Sequence, residues 1–433
     1  MLDRARTLVA LLFSLVAALA CTTSCSNCGD APKTKDAAPI DAPLAAPSSP
    51  TDATTTLDAS RAASDASTSS GIDAAAFDAG PSSCRLVYGP AEQPFRGPAA
   101  ILVTTNELRL VANDGGKPRI YPVPFTAPPP AAAPSVVPPA PSSFLAMRWP
   151  PCEIAGRFVY CQAAGGIVYR TTLGATDTKQ IAKSRASTRI SAAPLGPDHA
   201  VLATLDIRHT TEGDRVQAFI TLDDGETVRL SEEGAGATVV RLVPRGERAV
   251  ALYLDARTSM LPVHARPLSL RGKDLALEND AVVFVGGPPE RGIEITPATV
   301  DKSLFALIAT ARDTLEFGMA AVPIAEQPKD DVQPQWSFYP NGIDPAPIAA
   351  TTSASGSGGT AWVARVRPSE QMPGAPRILE LGRLDGAGVF TSLGSLATGK
   401  HITDISIASD AHGSVWILYG DSNATWLERR VCL

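Results

Sequence analysis

"TVVRLVPRGERAVALYLDAR", residues 238–257, is two apolar, alternating runs joined by a turn at Pro-Arg-Gly. Period-2 alternation of this kind reads as β-strand. Runs like its second half recur along the chain: "RFVYCQA" from Arg157, "HAVLATLDIR" from His199, "SLFALIATAR" from Ser303, "TAWVARVR" from Thr360 and "GSVWILYG" from Gly413. A β-branched run ending in a turn precedes each, as in "RISAAPLGPD" and "IEITPATVDK". A further strand follows, as in "RVQAFITL", "EFGMAAVPI" and "RILELGRL", and often a fourth, as in "ETVRLS" and "VFTSLGSL". Turns such as "DDGE" and "LDGAG" join them, and no helical period of useful length intervenes.

A four-stranded unit returning about every 50 residues is the signature of a β-propeller. Two stacked sandwiches are the structural alternative, but they would not predict even spacing. The expected fold class is therefore all-β, with seven blades counted and six as the alternative. Five units look complete between about residues 142 and 396; the unit over residues 84–125 is irregular. A Pro-rich insertion follows it, at about residues 126–143, and is expected to stay out of the sheet as an exposed polyproline-like loop.

One stretch, "ITDISIASDAHGSVWILYG" at residues 402–420, resembles the blades of streptogramin-lyase-like and sensor-regulator-like propellers, in proteins of the bacterial secreted or lipoprotein type. It carries their I-x-x-I…D-x-x-G-x-V-W pattern, which the other units have lost. The resemblance implies the fold and no activity. Asp410 and Gly413 stand one residue too far apart for the Asp box of sialidases.

The last unit supplies only three strands and ends in "ATWLERRVCL". The strand that would complete it is "CRLVYG", residues 84–89. Antiparallel pairing of the two sets Cys84 opposite Cys432, so the ring is expected to close through its N- and C-terminal strands and a disulfide. Cys152 and Cys161 flank the short turn of "CEIAGRFVYC" and are placed to bridge adjacent strands.

The N-terminus points to export. Arg4 and Arg6 precede an apolar run of 13 residues, Leu8 to Ala20. That is short of the ~20 needed to span a bilayer, so residues 1–20 read as a signal peptide. Ala18-Leu19-Ala20 is an acceptable cleavage site, while Cys21 directly after it resembles a lipobox and makes Cys21 the candidate lipidation site. The C-x3-C-x2-C spacing of Cys21, Cys25 and Cys28 matches the cluster motif of radical S-adenosylmethionine enzymes. Such a cluster needs an enclosed, reducing barrel, and a polar low-complexity stretch is the wrong setting. Residues 21–83 are rich in Ala, Asp, Ser, Thr and Pro, too polar to bury a core, and read as a disordered tether. A flexible chain of that length spans roughly 45 Å. The propeller domain is residues 84–433.

With seven cysteines, lipidation of Cys21 leaves six, an even number for an oxidising compartment. The net charge of −6 and the absence of a Lys/Arg stripe exclude a nucleic-acid partner. No G-x-S-x-G, H-E-x-x-H, Gly-rich phosphate loop or EF-hand loop is present. Strand order puts His209 and His401 on one rim of the ring, His199 and His412 on the other, and His264 inside a strand, so no three-histidine metal site is expected. No cofactor, metal or catalytic residue is assigned.

The second strands end in "LDIR", "LDAR", "ATAR" and "RVRP", which set Arg208, Arg257, Arg312 and Arg367 at nearly equivalent points of one rim. Arg208 and Arg257 have Asp206 and Asp255 two residues before them, a natural structural pairing. Arg312 and Arg367 lack that aspartate, and all four are candidate ligands for a carboxylate or phosphate. The expected function is an exported, lipid-anchored, monomeric binding or scaffold module at the outer membrane, periplasm or cell surface. Its partner is an envelope protein or glycan, and only the anchor touches the membrane. The alternatives are a soluble secreted protein and a propeller lyase or hydrolase acting on an envelope molecule.

Overall fold

A computed structural model describes residues 84–432, apart from 105–106, 115–116, 126–134, 137–151, 176, 186–187, 212, 258–259, 286–289, 313–315, 329–334, 341–347, 352–359, 369–376, 399–401 and 422. The signal peptide, Cys21, the tether at residues 21–83, His401 and most of the Pro-rich segment lie outside the described residues.

"RAVALYLD" shows why the repeat folds as it does. This strand, Arg248–Asp255, is buried along all but its first residue. Ala249, Ala251 and Tyr253 pack in one hydrophobic cluster with the preceding blade, while Val250, Leu252 and Leu254 pack in another with the following blade. A strand covered on both faces reads as a continuous apolar run rather than a clean alternation. Seven such clusters occur, one at each junction between neighbouring blades. Each fully buried Val or Leu in them contributes about 1.5–3 kcal/mol.

The strands form seven sheets, and the protein is a seven-bladed β-propeller. The innermost strands of blades 1 to 7 are Ala99–Val103, Cys152–Ala155, Ser191–Leu195, Ala237–Arg245, Glu290–Val300, Ile348–Ala350 and Asp404–Ser409. Each lies beside the innermost strands of two neighbouring blades, so they run around a closed circle. Hydroxyl side chains stitch this circle at three junctions. Ser191 Oγ accepts from the Leu242 N–H at 2.9 Å, Thr296 Oγ1 donates to the Ile348 carbonyl at 3.0 Å, and Ser406 Oγ donates to the Ala99 carbonyl at 2.7 Å.

The N-terminal strand, Arg85–Glu92, is the outermost strand of blade 7 and pairs antiparallel with Thr425–Val431. Arg85 stands opposite Val431, and Cys84 and Cys432 are joined by a disulfide with their Cα atoms 4.0 Å apart. The ladder bulges midway, where Gly89 has φ +83° and passes close to Leu427. A Cβ at Gly89 would lie 2.4 Å from the Leu427 carbonyl oxygen, so only glycine fits there. Cys152 and Cys161 face each other across blade 2 and form the second disulfide.

Two expectations need correction. Because residues 85–92 belong to blade 7, the first blade starts at Ala99 and not at Cys84. The Pro-rich insertion does enter a sheet: Ser135–Val136 pairs with Arg119 and Ile120 as the outer strand of blade 1. Its two residues fall between Pro134 and Pro138, and an outer edge needs hydrogen bonds on one side only, which prolines nearby tolerate. Blade 4 also departs from four strands. Asp274–Leu277 and Ala281–Val285 pair in turn with different halves of its third strand, Pro262–Arg271.

Candidate functional site

The rim arginines come first. Arg208 lies in the second strand of blade 3, Arg257 just beyond that of blade 4, Arg312 ends that of blade 5, and Arg367 is near the end of that of blade 6. Repeated strand order puts these ends on the same rim. Arg208 Nη2 is 3.6 Å from Asp206, and the guanidinium lies over the Phe219 ring. Arg257 is held more firmly, 2.6 Å from Asp255 and 3.4 Å from Glu232. Burial pushes the Asp255 carboxyl up, but hydrogen bonds from Arg257 and from the Gly236 N–H outweigh it and leave the carboxyl below its ordinary range. The side chain of Arg312 lies outside the described residues.

Arg367 is not left without a carboxylate. Its Nε lies 3.3 Å from Glu380 Oε1, on the third strand of the same blade. Glu380 also accepts from Arg365 at 2.7 Å and from the Ser392 hydroxyl at 2.6 Å. The partner comes diagonally across the sheet, because Arg365 stands directly opposite Glu380 in register. An aspartate two residues earlier in the sequence is only one way to supply it.

The described histidines are held by carboxylates in three cases. His199 Nδ1 is 2.6 Å from Asp223, His209 Nδ1 is 2.9 Å from Asp214, and His264 Nδ1 is 3.0 Å from Asp280. His264 is buried, stacked on Tyr253 at 4.6 Å, and the Tyr253 hydroxyl donates to the same Asp280 oxygen. His412 lies in the first turn of blade 7. Among the described residues, no three His, Cys, Asp or Glu side chains are grouped to hold a metal ion.

The innermost strands enclose a central cavity of about 790 Å³. Its wall is two-sided. Blades 2 to 4 contribute Glu153, Arg189 and Arg241 beside apolar residues such as Ile154 and Leu242, while blades 6, 7 and 1 contribute uncharged residues, Ile348, Ile405, Ile407, Ile101 and Leu102 among them, with scattered Ser and Thr. Arg189 Nε donates to Glu153 at 2.9 Å, linking blade 3 to blade 2. Arg241 Nη2 donates to Glu294 at 3.0 Å, linking blade 4 to blade 5, and its Nη1 donates to the Val240 carbonyl at 2.8 Å. Arg241 is only 7 % exposed. Burial, helped by the neighbouring Arg189 charge, pulls its pKa down to about 10.

None of these channel charges was singled out as a site residue, yet each interrupts an apolar run: "CEIA", "TRIS", "VVRLV", "IEIT". A lone charge inside an innermost strand is the signal for Glu153, Arg241 and Glu294, whereas Arg189 precedes its strand, Ser191–Leu195.

A further carboxyl lies on the innermost strand of blade 7. Asp404 is 7 % exposed and accepts from the Thr403 hydroxyl at 3.1 Å. Burial raises its pKa to about 6, against the Thr403 hydrogen bond and with help from the Asp421 charge. The folded state therefore binds this proton more tightly than the unfolded chain. Its stabilising effect is complete below about pH 4 and is lost as pH rises through about 6. Asp404→Asn is expected to remove that dependence and to raise stability at pH 7 by on the order of 3 kcal/mol. Melting temperatures of both proteins between pH 4 and pH 8 test this; parallel curves would refute it.

No family model matches the sequence, and no curated protein matches it. Solved structures do align with it. The crystal structure of the RRP9 WD40 repeats aligns with a TM-score of 0.48 at 11% identity, covering 80% of this chain and 99% of its own. Oligogalacturonate lyase from Vibrio parahaemolyticus aligns with a TM-score of 0.47 at 8% identity, covering 80% and 92%. Hydrazine synthase from Kuenenia stuttgartiensis aligns with a TM-score of 0.46 at 12% identity, covering 78% and 97%. At such scores the likeness is one of overall architecture and says nothing of activity.

Proposed function

We propose that this chain is an exported, lipid-anchored, non-catalytic binding module. Cys21 carries the lipid, residues 21–83 form the tether, and the propeller presents its rim and channel to an envelope protein or glycan. A seven-bladed ring serves binding modules, scaffolds and enzymes alike, so the fold leaves that choice to the site. The observation that carries the reading is the pair of disulfides, one of which closes the ring. Disulfides persist in oxidising compartments outside the cytosol, in keeping with the signal-like N-terminus. In this reading Arg208, Arg257, Arg312 and Arg367 lie on the ligand-bearing rim. The ion pairs of Arg208, Arg257 and Arg367 limit how much charge that rim presents.

Cys21→Ser is expected to move the protein from the membrane fraction to the soluble exported fraction, with the propeller still folded. Fractionation and immunoblotting of both forms measure it. Unchanged membrane association of the serine variant would exclude the lipid anchor.

A further inference from the structure

Glu153, Arg189 and Arg241 line one side of the channel, and Glu294, outside that lining, completes the series carboxylate, guanidinium, guanidinium, carboxylate across four successive blades. The two cations are the inner members of that series. The acids do not neutralise them equally. Glu294, which holds Arg241, has 46 % of its side chain exposed to water, whereas the Arg241 side chain is 9 % exposed. Water screens the half-exposed carboxylate, so the deepest charge on this wall is positive. A guanidinium carries five N–H donors in a fixed fork. The contacts above engage two on Arg241, and on Arg189 both Nε and Nη2 reach Glu153 Oε1 at 2.9 Å. Each cation already has one carboxylate on its outer side, and Glu153 acts on Arg241 as well, so an added anion would sit between the two guanidinium groups and share their remaining donors. Facing them is the apolar arc of blades 6, 7 and 1, with Ile348, Ile405, Ile407 and Leu102.

Charge on one side and aliphatic surface on the other select a particular ligand chemistry. Inorganic phosphate satisfies the arginines and leaves the apolar arc wet. An aliphatic alcohol or amine covers the arc and leaves the arginines unsatisfied. We propose that the channel is a binding site for a small organic monocarboxylate with an apolar body. The carboxylate is held between Arg189 and Arg241, and the body lies against the innermost strands of blades 6, 7 and 1. This rests on the reading of the chain as a binding module and names the ligand class that module takes.

Hexanoate is the probe, titrated calorimetrically into the purified exported chain, with hexanol, hexylamine and inorganic phosphate as comparisons. The expected result is one hexanoate per chain and at least about tenfold weaker binding of each comparison compound, since hexanol and hexylamine lack the charge-assisted contact and phosphate lacks the apolar burial. Arg189→Met, at a partly exposed position, weakens hexanoate about tenfold while the protein stays folded. Glu294→Gln tightens it, because the carboxylate competing for Arg241 is gone. A merely structural Arg241–Glu294 pair predicts the opposite sign. Arg241→Met is the direct test only if that variant melts cooperatively; the other two variants decide the matter regardless. The site is wrong if hexanoate does not bind, if hexylamine or phosphate binds as well, or if Glu294→Gln weakens binding. Recovery of hexanoate unchanged after prolonged incubation supports a binding module. Its conversion would overturn the non-catalytic reading and leave the site standing, whereas absence of binding removes the site and leaves the anchored module untouched.

Discussion

Replacing Cys84 and Cys432 together with serine is expected to cost this domain more stability than removing its other disulfide, Cys152–Cys161. The disulfide closes a loop with a sequence separation of 348 residues. The chain-entropy estimate for a loop of that size is about 5–6 kcal/mol, an upper value because unfolded chains retain structure. The bridge between Cys152 and Cys161 spans only 9 positions, and the same estimate gives about 2–3 kcal/mol. Denaturant unfolding of the two serine pairs should therefore rank them clearly, with the seam pair more damaging. Non-reducing peptide mapping should recover Cys84 and Cys432 in one linked fragment. A free thiol at either position in the protein purified without reductant, or an unchanged unfolding midpoint in the seam variant, would sink the expectation.

The second large effect is at Asp410. Its side chain is 0 % exposed and accepts four hydrogen bonds. The His412 and Ser414 N–H groups donate to Oδ1 at 3.0 and 2.9 Å. Trp416 Nε1 and Arg429 Nη2 donate to Oδ2 at 3.1 and 3.0 Å. One carboxylate thus fixes the first turn of blade 7 and ties it to the second and third strands. Arg429 in turn lies over the Trp416 ring at 5.1 Å. Asp410→Ala leaves a guanidinium without its carboxylate and three donors without an acceptor, an expected loss of about 3–5 kcal/mol. Asp410→Asn keeps Oδ1 but turns an amide toward two donors at the other position, so it should recover only part of the loss. Urea midpoints of the two variants and the wild type measure this. Alanine within about 1 kcal/mol of wild type would show that the clamp carries no stability.

The seam disulfide and Asp410 also mark what could be read from the sequence. Ring closure was legible because Cys84 and Cys432 each sit at the outer end of a strand, and antiparallel register leaves a single way to face them. "DAHGSVW" was legible as a blade, but its chemistry was not. The residue that completes the Asp410 clamp, Arg429, lies 19 positions away and belongs to no local pattern. Second strands such as Arg248–Asp255 were plain because burial on both faces makes the run long and apolar. Outer strands were not: Ser135–Val136 has two residues, and Gln335–Pro340 was not picked out although Trp336, Phe338 and Tyr339 are strand-favouring types. The rim arginines were visible because they repeat, whereas the partner of Arg367 was hidden in another strand. The channel charges were missed because each appears once, in a different blade.

The position of the seam disulfide also decides how the ring bears load. Tension reaching the domain from the N-terminal side enters at Cys84, the residue before the outermost strand of the last blade. Without a covalent link it would peel Arg85–Glu92 from its neighbour from one end, breaking ladder hydrogen bonds one at a time. With the link, the pull passes at once to Cys432 and so to both strands of the pair. Thr425–Val431 is itself flanked by Ser414–Gly420, so the whole last blade must yield together. Zipper-like rupture at this edge of the ring becomes a concerted one.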